Sequence, residues 1–314
     1  MAKSYSRVVP LSRPGLDFCP PWCQNRPMIL DVHTHIFPPE IIAQRERYLE
    51  RDAWFGRLYA NPRARMATAD ELLAAMDAAG VDMAVTFGFA WADPGLCRLA
   101  NDYVAEAVRN HPGRLLGLAV LNPVAPRAEA ELARAAAAGL SGVGELMPDG
   151  QGYALGDADA LAPLMEEARA LGWPVLVHAS EPVGHEYAGK GRPSLAGAVQ
   201  LAQRFPDTTL ILAHWGGGLP FYELMPEVRR ALAHVYYDTA ASLFLYDDSV
   251  FAVAAALVGP KVLFGTDYPL IEPGRFLARV RRAGLDEGAL DGILGGNAAR
   301  VLGLSAGSLP SLQE

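Results

Sequence analysis

Short apolar runs alternate with amphipathic stretches along almost the whole chain. The runs fall at residues 28–32, 82–87, 115–120, 142–146, 175–178, 209–214, 235–239 and 262–267. Most are continuously apolar, the pattern of parallel strands covered on both faces. Helical stretches lie between them. Thr68 followed by Glu71 forms a capping box, with Leu72, Leu73 and Met76 as the apolar stripe behind it. Residues 128–138 end at Gly139, and residues 157–171 end at Gly172, each glycine suited to stop a helix. Further helices are predicted over 194–205, 222–233, 247–257 and 275–283. Eight strand-to-helix alternations predict an α/β fold, a closed (β/α)8 TIM barrel, with an open doubly wound sheet as the other arrangement of such a pattern. One domain over 28–304 is the simplest division, with an irregular extension at 1–27 and a tail at 305–314.

Length agrees with that pattern. A barrel of this kind takes about 250 residues, and the chain has 314. The formal net charge of −8, from 35 acidic and 27 basic residues, argues against a nucleic-acid partner. No run reaches the roughly 18 apolar residues needed to span a membrane, and the first 26 residues carry no apolar signal core. The three cysteines are sparse and odd in number, as in a reducing compartment, so a cytoplasmic location is expected. The pair Cys19 and Cys23 has no second pair to complete a zinc site, and an ordinary loop is the expectation there.

Chemistry gathers where the apolar runs end. In a parallel barrel those ends form the mouth that carries active sites. The first run continues as Asp31, Val32, His33, Thr34, His35. Residues two apart on a strand point the same way, so His33 and His35 can share one metal ion, with Asp31 below them. Later runs finish on Glu145, His178, His214 and Asp267. Imidazoles with a carboxylate suit zinc, iron, manganese or cobalt, and spacing does not choose among them.

These residues resemble the amidohydrolase superfamily, and more narrowly its amidohydrolase-related branch, which includes aminocarboxymuconate-semialdehyde decarboxylase, aromatic-acid decarboxylases and hydrolases. The resemblance rests on Asp31, His33, His35, His178, His214, the run Gly265 to Pro269, and the Gly296–Asn297 segment with Arg300. It implies a (β/α)8 barrel and a divalent metal, zinc being the expected ion. His33, His35, His178 and Asp267 become the ligands of one ion. Asp267 also accepts the proton of the attacking water, and His214 is a catalytic or second metal-binding histidine. Glu145 stands where many binuclear relatives carry a modified lysine, so two ions are the alternative if it bridges.

The loop after His178 is polar, and its Lys190 and Arg192 are candidates for binding a substrate carboxylate. Trp215 and Tyr268 are further substrate-binding candidates. Phe37, Trp91 and Tyr153 are aromatic residues that could join them in an apolar wall. The charged segment 41–65 reads as a solvated face, with a lid or subunit contact as the other reading. The partner is a small molecule, and a homodimer is an open option. Metal-assisted hydrolysis of a C–N or C–O bond in a small anionic substrate is the leading expectation. Non-oxidative decarboxylation of an aromatic or unsaturated acid is the alternative, and a non-catalytic ligand-binding barrel the third.

Overall fold

A computed structural model describes residues 27–192 and 194–304. The expectations for residues 1–26, including Cys19 and Cys23, and for 305–314 lie outside the described residues. Among the described residues eight strands follow one another: β1 (Leu30–His35), β2 (Met83–Phe87), β3 (Leu115–Gly117), β4 (Val143–Leu146), β5 (Val175–Val177), β6 (Leu210–Leu212), β7 (Val235–Asp238) and β8 (Val262–Leu263). Every pairing is parallel and joins sequence neighbours, β1 to β3 in one ladder and β4 to β8 in another.

Backbone hydrogen bonds close the two ladders into one barrel. On one side Ala119 N donates to Gly142 O (2.8 Å) and Gly144 N to Ala119 O (2.9 Å). On the other, Val32 N donates to Phe264 O (2.8 Å), Asp267 N to His33 O (2.9 Å) and His35 N to Tyr268 O (2.7 Å). The second seam is made by the same residues that carry the candidate chemistry, so closing the barrel also positions them. Leu30, Val32, Leu176, Ile211 and Leu263 fill its interior.

The helices form the outer layer. The predicted capping box at Thr68 is present, with both reciprocal bonds made, starting the helix Ala69–Ala79; such a cap is worth about 1 kcal/mol. Asp157 caps Ala158–Leu171, which ends at Gly172 in the left-handed region. The expected helix over 222–233 is instead two short ones, Leu219–Tyr222 and Pro226–Ala231. Pro226 has no N–H and disfavours helical geometry at the residue before it, so the turn breaks there. The helix Pro94–Asn110 packs Leu96, Ala100 and Val104 inward behind an Asp93 cap.

The segment read as a solvated face is more than that. It forms three short helices, Pro39–Ala43, Arg45–Arg51 and Ala53–Tyr59. Glu40, Arg47 and Arg51 are exposed, while Ile41, Tyr48 and Phe55 are buried. Phe55 lies 4.6 Å from both Tyr59 and Trp91, ring centre to ring centre. Asp52 accepts from Trp54 N, Phe55 N and Ala92 N, all at 2.9 Å, tying the third helix to the loop after β2. This apolar anchoring sets Leu58 and Tyr59 over the barrel mouth.

Candidate metal centre

The barrel ends where the polar residues begin. β5 stops one residue before His178, β6 two before His214 and β8 four before Asp267. His214 (φ 55°) and Asp267 (φ 65°) both adopt the left-handed region that non-glycine residues avoid. Such outliers persist where surrounding structure holds them, and they gather at functional sites. Here they turn each side chain from its strand into the mouth. Gly265 allows a close approach: a Cβ there would stand 2.9 Å from the Cβ of His33.

His33 is wholly buried, and its Nδ1 lies 2.8 Å from Asp238 Oδ2. A carboxylate oxygen only accepts, so Nδ1 carries a hydrogen, and Nε2 is the atom that would offer its lone pair to an ion once the ion displaces its proton. His33 Nε2 stands 3.2 Å from His35 Nε2 and 3.6 Å from Asp267 Oδ1, and His35 Nε2 is 3.3 Å from that same oxygen. Donors held about 2.1 Å from a tetrahedral ion stand roughly 3.4 Å apart. The three atoms therefore have the spacing of a ligand set. Buried His35 Nδ1 has no hydrogen-bond partner among the described residues. The residues fit a divalent metal.

Glu145 links this trio to a second one. Its Oε2 is 3.9 Å from both His33 and His35, while Oε1 is 3.0 Å from His178 Nδ1 and 3.6 Å from His214 Nε2. Donor atoms of Glu145, His178 and His214 all lie within 4.8 Å of one another, as do those of His33, His214 and Asp267. His178 is grouped with Glu145 and His214, while His33 and Asp267 are grouped with His214, and His33 and His35 with Glu145. Glu145 enters from β4, beside β5, and its carboxylate spans the mouth, one oxygen toward His178 and His214 and the other toward His33 and His35.

The charges around the cluster favour cations. Burial pulls the His33 imidazole down, but Asp238 and Glu145 outweigh it and raise its pKa to about 10. His214 is likewise raised to about 9, against burial, by Glu145 and Asp267. Burial opposes ionisation of Asp267, yet the bond from His35 and the field of His33 hold it at about 2. Glu145 is held well below the usual carboxylate range, against burial, by His178 and His33. A field that retains protons this strongly favours a bound cation, which would displace them. Asp31 serves the backbone: it accepts from Thr266 N (3.0 Å), Thr266 Oγ1 (2.6 Å) and His33 N (3.2 Å), and burial raises its pKa to about 7.

Above the cluster is a cavity of about 360 Å³. His35, Glu145, His178, His214 and Asp267 border it, under walls that include Leu58, Tyr59, Phe89, Met147 and Phe244. Arg65 and His185 also border it.

The four substrate-binding candidates are placed elsewhere. Trp215 is buried behind the mouth, donating from Nε1 to Ser242 Oγ (2.7 Å) and packing on Phe251. Tyr268 is buried under Arg65, and its neighbours Pro269 and Leu270 border the cavity in its place. Lys190 Nζ donates to three carbonyls of its own loop. Arg192 is 98% exposed, its Nε 3.4 Å from Asp149, beside a neighbouring cavity that His178 also borders. Phe37 and Trp91 pack into the core.

Asp238 is the residue that sequence reasoning missed. Its run ends in a carboxylate like the others, and that parallel could have found it. Leu58, Tyr59 and Arg65 carried no such signal, since only the fold brings them to the border of the cavity.

A family model for amidohydrolases matches residues 30–304. The chain belongs to the amidohydrolase family. It is 25% identical to 2-amino-3-carboxymuconate-6-semialdehyde decarboxylase of Dictyostelium discoideum, over 89% of this chain and 92% of that protein. Among solved structures it resembles 5-carboxyvanillate decarboxylase from Sphingomonas paucimobilis, with a TM-score of 0.73, 21% identity, and 89% and 100% of the two chains covered. It also resembles a dihydroxybenzoic acid decarboxylase from Polaromonas, solved with manganese and the inhibitor 2-nitroresorcinol. That match has a TM-score of 0.66 and 20% identity, covering 89% of this chain and 98% of the other. The closed barrel and the family agree with the sequence expectation. Among the described residues, no helix is long and apolar enough to cross a membrane.

Proposed function

We propose that this amidohydrolase is a metal-dependent, non-oxidative decarboxylase of a small aromatic or conjugated carboxylic acid. Hydrolysis, the leading expectation from sequence, takes second place. The observation that carries the proposal is the cavity: an apolar, aromatic-walled slot directly over a cluster of metal-type donors. Such walls suit a planar ring better than a peptide-like amide. The names of the relatives point the same way, since three that resemble the chain over most of its length are decarboxylases.

His33, His35 and Asp267 would hold the ion, with Glu145 the next donor and His178 and His214 on its far side. A divalent ion, zinc or manganese, would supply positive charge to orient an anionic substrate and stabilise charge developing on it. The chain's own groups handle the proton. Asp267, held as a carboxylate, accepts a proton from a substrate hydroxyl or from water and delivers it to the carbon bearing the carboxylate. The C–C bond then breaks, its electron pair returns to the conjugated system, and carbon dioxide leaves. His214 faces the cavity through Nε2, because its Nδ1 is committed as donor to Ala240 O (3.1 Å). Leu58, Tyr59, Phe89 and Phe244 exclude water from the carbon being protonated.

The test uses purified protein reconstituted with zinc or manganese. It is offered 2,6-dihydroxybenzoate, 5-carboxyvanillate and 2-amino-3-carboxymuconate semialdehyde, beside a panel of amides, esters and lactones. Carbon dioxide released from one of the acids, and abolished by chelation, is the expected result. Metal-dependent turnover confined to the amides, esters or lactones would restore hydrolysis and overturn the proposal.

A further inference from the structure

The loop between β5 and the helix Leu195–Arg204 closes on itself through one buried cation. Lys190 is only 9% exposed, and its Nζ donates to the carbonyls of Val183 (3.1 Å), Gly184 (3.3 Å) and His185 (3.1 Å). Those three bonds use the three hydrogens of an ammonium. Glu186 adds an ion pair at 3.3 Å from a side chain 83% exposed. The main chain of Lys190 is tied as well: its N donates to Tyr187 O (3.1 Å), and its O accepts from Arg57 Nη2 (3.2 Å). No donor of this lysine is left for a substrate.

The peptide so clamped begins at the carbonyl of Gly189, which lies 3.0 Å from His178 Nε2. A carbonyl only accepts, so Nε2 must carry a hydrogen. Ser180 Oγ, 3.1 Å from the same nitrogen, accepts a hydrogen from Gly191 N at 3.1 Å and so belongs to the same clamp. With Nε2 committed to the loop, Nδ1 is the face His178 turns toward Glu145 and the donor cluster.

We propose that Lys190 is a positioning residue: by stapling the loop it holds the Gly189 carbonyl on His178 Nε2 and so fixes which ring nitrogen of His178 faces the metal cluster. This rests on the metal-site reading above. Partners that fix a ligand's ring orientation typically contribute 10–100-fold in metal affinity. Lys190 acts one step further out, and about tenfold is expected.

The experiment compares wild type, Lys190→Met and the conservative Lys190→Arg, each prepared metal-free and zinc-loaded. Zinc Kd is measured by chelator competition. The His178 Nε2–H is followed in ¹⁵N-histidine-labelled protein, assigned against His178→Asn. In wild type this hydrogen is bonded and exchanges slowly. Lys190→Met is expected to weaken zinc about tenfold and to lose the slow exchange, and Lys190→Arg to recover part of both. If Lys190→Met does not fold, Arg57→Met, which frees the Lys190 carbonyl on the adjoining peptide, is expected to shift both readouts in the same direction. A Lys190→Met protein, or failing that Arg57→Met, with unchanged Nε2–H protection overturns the proposal, as does a zinc Kd within twofold of wild type. Should wild type bind no divalent ion, the metal reading falls, while Nε2–H exchange in the metal-free proteins still decides the role of Lys190.

Discussion

Replacing Asp238 by asparagine changes one atom and tests how the centre is built. The carboxylate is fully buried and has two tasks. Oδ2 accepts from His33 Nδ1 (2.8 Å), and Oδ1 accepts from His214 N (2.9 Å) and Ala240 N (3.0 Å). An asparagine keeps the shape but offers one oxygen and one NH2. If the NH2 faced the two backbone donors, two buried N–H groups would lose their acceptor, at about 1–3 kcal/mol each. The oxygen therefore stays on the backbone and the NH2 faces His33. His33 must then surrender its Nδ1 hydrogen, and its proton moves to Nε2, inside the donor cluster. A lone pair aimed at the ion becomes an N–H. The expected loss in zinc or manganese affinity is about 10–100-fold, or roughly 1.4–2.8 kcal/mol. The metal-free fold should lose the buried His33–Asp238 ion pair but keep the two backbone bonds, so it is destabilised. Chelator competition measures the first quantity and thermal unfolding of metal-free protein the second. A folded Asp238→Asn protein binding metal within twofold of wild type would falsify the tautomer argument.

Three further outcomes are expected. His33, raised to about 10 from 6.5, retains a proton in the folded metal-free protein that the unfolded chain releases above 6.5. Its contribution to stability is complete below about pH 6.5 and is lost as pH rises through about 10. Metal-free Tm should fall across that window, less steeply in Asp238→Asn; equal slopes for the two proteins would count against Asp238 as the principal cause. Cys97 is buried, and burial raises its thiol to about 12. Native protein treated with iodoacetamide at pH 8 should show no label on Cys97 by peptide mapping, whereas a label there would show that the site opens. Phe55→Ala empties the aromatic contact with Tyr59 and Trp91 and should cost about 3–5 kcal/mol in denaturant unfolding; a cost under 1 kcal/mol would mean that the three short helices are not held by this ring.

The periodicity of apolar residues was enough to place all eight strands and to favour a barrel over an open sheet, because parallel strands buried on both faces leave a continuous run of hydrophobic positions. It was enough, too, to single out His33, His35, Glu145, His178, His214 and Asp267, since a polar residue ending such a run must lie at the mouth. Strand order around the barrel decided the rest. It set Glu145 between His33 and His178, a relation no spacing along the chain encodes, and brought Asp238 behind His33 across 205 residues. It also turned Lys190 from a presumed substrate ligand into a staple on its own loop, and buried Trp215 and Tyr268 away from the cavity. Residue type determines what a side chain can do chemically, and a strand end determines roughly where. Which partner it meets depends on packing between distant segments, and only the folded chain contains that information.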